Sequence, residues 1–273
     1  MLEKFIYTNS FNETLEFGKD SLFVNENDLR DFAWEITSKN NKISGFKKGI
    51  VSKTIPIILK CNTESEGVTL RNRLFEVFEK DVIAKKYGKI HIGDYYLRCY
   101  ITGSKKTQYL ITKSYMVVEA IVQTDLADWI KETTTTHQMS AGDTNGFLDY
   151  PYDFPYDFKN SIVNANIIND GFVPCNFILT IEGHVANPTL FIGNHKYSVN
   201  VTVGENEHLI IDSLNKTIIL NKDGEYINCF SDRCRDSYIF EKIPPNANVV
   251  TSPHPNLKFS LTLLEERSEP KWT

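Results

Sequence analysis

Six histidines (His91, His137, His184, His195, His208 and His254) and five cysteines (Cys61, Cys99, Cys175, Cys229 and Cys234) are the side chains best suited to metal or nucleophilic chemistry. A zinc site needs three or four ligands at one point, and its usual sequence trace is a short repeated spacing. None occurs here: Cys229 and Cys234 are the single close cysteine pair, without a second pair or a well-spaced histidine. An odd, irregular set of cysteines reads as reduced thiols rather than a disulfide framework. A serine nucleophile is expected on a glycine-flanked elbow, and the nearest string, SAGDTNG, follows no strand. Paired carboxylates could hydrolyse a glycosidic bond. However, Glu265 and Glu266 would point to opposite faces of a strand, and Glu205 and Glu207 fall in a turn. A phosphate cradle needs a glycine-rich loop before a helix, and the one strong helix is preceded by Gly67 alone. These residues assign no catalytic, cofactor or metal site, and the expectation is a protein that is not an enzyme.

Composition narrows the alternatives. The chain has 273 residues and 31.3 kDa, enough for one large domain or two ordinary ones. Apolar residues make up 41% and charged residues 24%, so a core can form and wholesale disorder is excluded. The net charge is −5, all of it from residues 150–273, while residues 1–149 balance to zero. Neither half offers the basic face that phosphate contacts require, so no nucleic-acid partner is expected. Lys47-Lys48, Lys85-Lys86 and Lys105-Lys106 read as solvated pairs. No apolar run approaches the roughly 18 residues of a membrane span, so no membrane is expected. The opening MLEKFIYTNSF, with Glu3 and no apolar stretch, reads as no secretory signal.

The elements follow from periodicity. TIPIILKC (Thr54–Cys61) reads as a strand, as do Ile90–Ile92, Tyr95–Ile101 and Tyr115–Thr124. Leu70, Leu74, Val77, Phe78 and Val82 form one stripe of a 3.6-residue period, which predicts a helix over about 69–84 with a stop near Gly88. Residues 131–149, with four consecutive threonines and then Ser, Gly, Asp and Asn, read as a loop and domain boundary. The tandem PYDF-PYDF of residues 151–158 reads as a stiff, extended connector. Beyond it, seven short strand candidates, Cys175–Glu182 through Leu257–Leu264 and including Tyr238–Ile243, alternate with turn signals such as Asn187-Pro188 and Asp223-Gly224. Thr251–Pro255 reads as a loop. That spacing predicts a β-sandwich. The fold class expected is mainly β: an N-terminal β-rich domain with one packed amphipathic helix, then a β-sandwich.

Several strings together carry a family resemblance. YPYDFPYDF (Tyr150–Phe158), NPTLFIGNHKYSVNVTVGENEHLIIDSLNKTIILNKDG, SYIFEKIPPNANVV and the terminal LTLLEERSEPKWT resemble the distal tail (Dit) proteins of siphophages, and the N-terminal layout agrees. The resemblance covers essentially the whole chain. It implies domains at 1–135 (ring-forming), 136–158 (linker and connector, with Tyr150, Tyr152, Phe154, Tyr156 and Phe158) and 159–273 (a galectin-like sandwich). It further implies a structural virion protein: a homohexameric ring, single or back-to-back double, at the tail tip and assembled in the host cytoplasm. Its implied partners are the major tail tube protein, the tail-associated hub or lysin, and receptor-binding proteins. Ring contacts are expected in residues 1–135, on the helix and on Met116, Val118, Ala120 and Val122. No cofactor is implied. Two alternatives stay open. One is a carbohydrate-binding module recognising host cell-wall saccharide through 159–273, although the sugar-contacting histidine–asparagine–arginine–tryptophan set of true galectins has no counterpart here. The other is a wall hydrolase, for which no acid/base pair is visible.

Overall fold

The computed structural model describes residues 4–19, 21–111, 115–139 and 165–272. It is mainly β with one long helix, and the chain divides into two compact units: Met1–Lys131 with Arg267–Thr273, and Glu132–Glu266. The chain passes between the units inside two strands, Trp129–Gln138 and Lys258–Arg267. Residues 131–138, expected as loop, are thus strand: threonine is β-branched and favours extended backbone when a neighbouring strand pairs with it. The PYDF repeat lies outside the described residues.

In the first unit every strand pairing is antiparallel. Phe5–Thr8 pairs with Thr14–Phe17 and with Gly88–Ile92. The long strand Tyr95–Ile111 pairs with Gly88–Ile92 through its first residues and with Tyr115–Thr124 through its last. Tyr115–Thr124 pairs along its whole length with Val51–Lys60, which also holds Leu22–Val24. The core between these strands and the helix includes Tyr7, Leu15, Ile55, Ile57, Leu59, Leu97 and Trp129.

The helix spans Glu64–Ala84, starting about five residues before its apolar stripe announces it. Thr63 caps it, its hydroxyl accepting from the Glu66 backbone N–H at 3.2 Å, while the Glu66 carboxylate accepts from Asn62 N at 2.8 Å. It stops at Lys85, which takes the left-handed conformation (φ 53°) and donates its N–H to Val82 O. The expected stop at Gly88 is therefore three residues late. Val82 is also not part of the inward stripe, being 40% exposed. At about 100° per residue, Val82 lies about 120° from Leu70, whereas Asp81 lies only about 20° away. Asp81 is accordingly the buried member, a carboxylate in the middle of an apolar stripe.

The second unit is a two-sheet sandwich. One sheet orders its strands Glu225–Asn228, Thr217–Lys222, His208–Asp212, Asn176–Glu182, Lys258–Arg267, and the other Ala165–Asn169, Asn246–Thr251, Thr189–Ile192, His195–Ser198. Phe177, Leu179, Ile181, Leu209, Ile211, Leu261 and Leu263 from the first meet Ile167, Leu190, Ile192, Tyr197 and Val250 from the second. The strand expected at Tyr238–Ile243 is instead turn and loop, with Glu241 N donating to Tyr238 O at 3.1 Å. Its neighbours Ile239 and Phe240 are both buried, which a period-two strand with one buried face would not allow. The strand lies a few residues on, at Asn246–Thr251.

Candidate assembly surface

An exposed apolar segment of the first unit is a hairpin that stands outside its core sheets. Among the described residues, Glu35–Lys39 pairs only with Lys42–Lys47, through a two-residue turn at Asn40 and Asn41, both left-handed at φ 52° and 57°. Asparagine tolerates that region, and two such residues suit the type I′ turn that matches strand twist. The register places Ile36 opposite Phe46 and Ser38 opposite Ile43, with one residue of irregularity between. That bulge matters, because strict alternation would put Ile43 and Phe46, three residues apart, on opposite faces. With it, Ile36, Ile43 and Phe46 share one face. The other face carries Glu35 and Lys47, ion-paired at 3.0 Å. Ile36 and Ile43 are each 60% exposed, Phe46 is 59% exposed, and Phe32, Trp34 and Ile50 flank them, also exposed. The hairpin is therefore amphipathic with its apolar face in solvent. An isolated two-stranded hairpin is marginal in water, and an apolar face of this kind marks an interaction surface.

The root of the hairpin is held by polar contacts. Lys48 Nζ binds Asp128, donates to Ser268 Oγ at 2.7 Å and lies 4.5 Å from the Trp34 ring centroid. Arg30 stacks on Trp272 at 4.1 Å. Buried Lys53 donates to the carbonyls of Asp28 and Asp31, fixing the loop before the hairpin, and its ammonium pKa is held below the ordinary lysine value by burial. A second exposed apolar row runs along the helix: Val68, Phe75 and Val82 at seven-residue spacing, with Ile83 beside them.

The strand residues expected to form ring contacts sit elsewhere. Met116, Val118, Ala120 and Val122 are buried at 2% exposure or less, inside the core of their own chain. They alternate with outward residues as the sequence pattern expects, and they form the inward face of the strand. The opposite face presents Val117, Glu119, Ile121 and Gln123, with Gly103 leaving room for Ile121 on the neighbouring strand. The connector residues Tyr150, Tyr152, Phe154, Tyr156 and Phe158 lie outside the described residues.

Several other chemistry-bearing groups serve local structure. Tyr7 donates its hydroxyl to Asp81 Oδ2 at 2.5 Å, and Ser10 donates to Oδ1 through its backbone N–H (2.8 Å) and hydroxyl (2.7 Å). Burial, then the Asp81 hydrogen bond, push the Tyr7 phenol pKa far above its ordinary value. Glu266 accepts from Asn176 and pairs with Lys242 at 2.8 Å, while Glu207 caps a turn by accepting from Gly204 N at 2.7 Å. Cys61, Cys99, Cys175 and Cys229 are buried thiols and Cys234 is partly exposed. Among the described residues no three His, Cys, Asp or Glu side chains converge as a metal site. The hairpin went unread in the sequence because its strands carry threonine, serine and lysine between the apolar residues. Asn40-Asn41 was the signal available.

Solved structures share this fold over nearly the whole chain. The crystal structure of the Dit protein of phage SPP1, described as a paradigm of the hub adsorption apparatus in phages infecting Gram-positive bacteria, aligns with a TM-score of 0.62 at 9% identity, covering 96% of this chain and 99% of that one. A chain of the phage P2 baseplate in its activated conformation with calcium aligns at 0.64 and 10% identity, covering 99% and 100%. The same baseplate with strontium gives 0.63 and 10%. No family model and no curated protein matches the sequence. The chain thus shares the fold of the SPP1 Dit protein over nearly its whole length.

Proposed function

We propose that this chain is a structural component of a phage tail tip, a hub that closes into a homohexameric ring and joins the tail tube to baseplate and receptor-binding proteins. The observation that carries the reading is the hairpin Glu35–Lys47: an apolar face, built by a bulge and left in solvent, on a chain that matches the SPP1 Dit and P2 baseplate folds over nearly its whole length. A head-to-tail ring gives every copy one such face and one receiving surface, so all are covered when the ring closes. The exposed helix row and the outer face of Tyr115–Thr124 are the receiving surfaces that the first unit offers. This reading makes the protein non-enzymatic and places it in the virion tail.

Light scattering coupled to size exclusion tests it. The wild-type chain is expected to approach six times its 31.3 kDa as concentration rises. Ile36→Lys with Phe46→Lys should leave a folded monomer, since neither side chain belongs to the core. A double variant that still forms the wild-type oligomer would refute the hairpin contact. If the wild type stays monomeric at every concentration, even when purified tail tubes are added as template, the hub reading fails.

A further inference from the structure

The second unit holds 8 Lys and Arg against 17 Asp and Glu, and three of those few cations line one shallow basin of about 580 Å³. They are Lys216, Arg233 and Arg235. Two other lysines of this unit pair with carboxylates, Lys222 with Glu207 and Lys242 with Glu266, while Lys196 donates to the Cys234 sulfur at 3.6 Å. Among the described residues, the three basin cations have no such ion pair. The one carboxylate at the rim, Asp236, accepts from the Cys234 thiol at 3.5 Å. Unpaired positive charge concentrated in an acidic unit is a pattern that favours an anion at this place.

The basin also has an aromatic floor. Phe230 and Phe240 stack at 6.0 Å with 19° between their planes, and Tyr238 meets Phe240 edge-on at 5.9 Å. Tyr238 is 55% exposed, offering a ring to solvent. Arg233 lies 4.1 Å over Phe230, and Lys216 Nζ lies 5.3 Å and 5.5 Å from the Phe240 and Tyr238 centroids. The cations are thus held beside ring faces by cation–π attraction. The volume fits a small ligand rather than a protein surface, which would bury roughly 800 Å² per partner. A long nucleic acid is disfavoured by the unit's net charge of −9, because three cations neutralise few phosphates.

We infer that this basin binds an anionic saccharide, its sugar ring against Tyr238 and Phe230 and its phosphate or carboxylate held by Lys216, Arg233 and Arg235. The inference is independent of ring closure, since every residue involved belongs to the second unit. Cys234 lines the basin and is the one cysteine that is not buried, so its maleimide labelling reports occupancy in the unmodified protein.

The probes are a glucosylated glycerol-phosphate teichoic acid, a hyaluronan hexamer as the carboxylate case, uncharged maltohexaose, and an eight-nucleotide single-stranded DNA. At least one charged saccharide should bind in calorimetry and slow Cys234 labelling, at least tenfold more tightly than maltohexaose or DNA, and more weakly as salt rises. Which one binds separates phosphate from carboxylate recognition. Lys216→Asn with Arg235→Gln should cut that binding at least tenfold. Asparagine suits the left-handed backbone of Lys216 (φ 57°), and both side chains are exposed, so the variant should keep its fold. Equal affinity for maltohexaose, tighter binding of DNA, no binding by any probe, or undiminished binding by the folded variant would each overturn the assignment.

Discussion

At the scale of single residues, Asp81 is the most consequential side chain the hydrophobic pattern concealed. It sits where the helix stripe calls for an apolar residue and accepts three hydrogen bonds from Tyr7 and Ser10. Replacing it with alanine strands the Tyr7 hydroxyl in the core, at about 1–3 kcal/mol for each group left unsatisfied. Asp81→Ala should therefore lower the thermal midpoint more than Tyr7→Phe, which leaves the carboxylate its two Ser10 donors; differential scanning calorimetry compares them. A second residue-level effect is alkaline. Burial first, and then the Glu265 carboxylate, push the Cys175 thiol from 9.0 up to about 12. The native state therefore keeps a proton that the unfolded chain releases. This contribution to stability is complete below pH 9 and is lost as pH rises towards 12. Cys175→Ala should make the decline in chemical stability between pH 9 and 11 less steep, as read by urea titrations across that range.

At the scale of elements, the strand Tyr115–Thr124 and the hairpin Glu35–Lys47 separate pattern from purpose. Strand alternation was legible, and so were the helix, the β-rich halves and the sandwich, because periodicity follows from burial. Which face of a strand looks inward is a tertiary fact, and Met116, Val118, Ala120 and Val122 proved to be core. Two outcomes distinguish the faces. Val118→Asp or Val122→Asp should destabilise the chain by on the order of 4 kcal/mol or more, an unpaired charge in a packed core, and give insoluble or unfolded protein by circular dichroism. Glu119→Lys should leave the circular dichroism spectrum and melting curve close to wild type, because it changes only an outward side chain. The hairpin and the aromatic basin were not legible for a different reason. The hairpin has no core to impose a period, and the basin's buried Ile239 and Phe240 lie in turn and loop, where no period applies. The basin also depends on residues that only the fold collects, such as Lys216 with Arg233 and Tyr238.

At the scale of the whole molecule, charge is divided more sharply than the sequence halves suggest. The unit made of Met1–Lys131 and Arg267–Thr273 carries +4, and Glu132–Glu266 carries −9. Most of the difference comes from the boundary at Lys131, which puts Glu132, Asp143 and Asp149 in the second unit. The last residues add a net +1 to the first unit, to which they return, reaching the hairpin root through Ser268 and Trp272. Ser268→Ala with Trp272→Ala should accelerate tryptic cleavage around Lys39 and Lys42 several-fold, while the melting temperature moves by only a degree or two. Unchanged cleavage would mean that Lys48 and Asp128 hold the root alone. The same contact sets an order in time. A ribosome finishes residues 4–131 long before it reaches Ser268, so a nascent chain carries its adhesive hairpin without its full anchorage. Orientation of that hairpin for partners becomes complete only as synthesis nears its last residues, which delays copy-to-copy association until the second unit has been made as well.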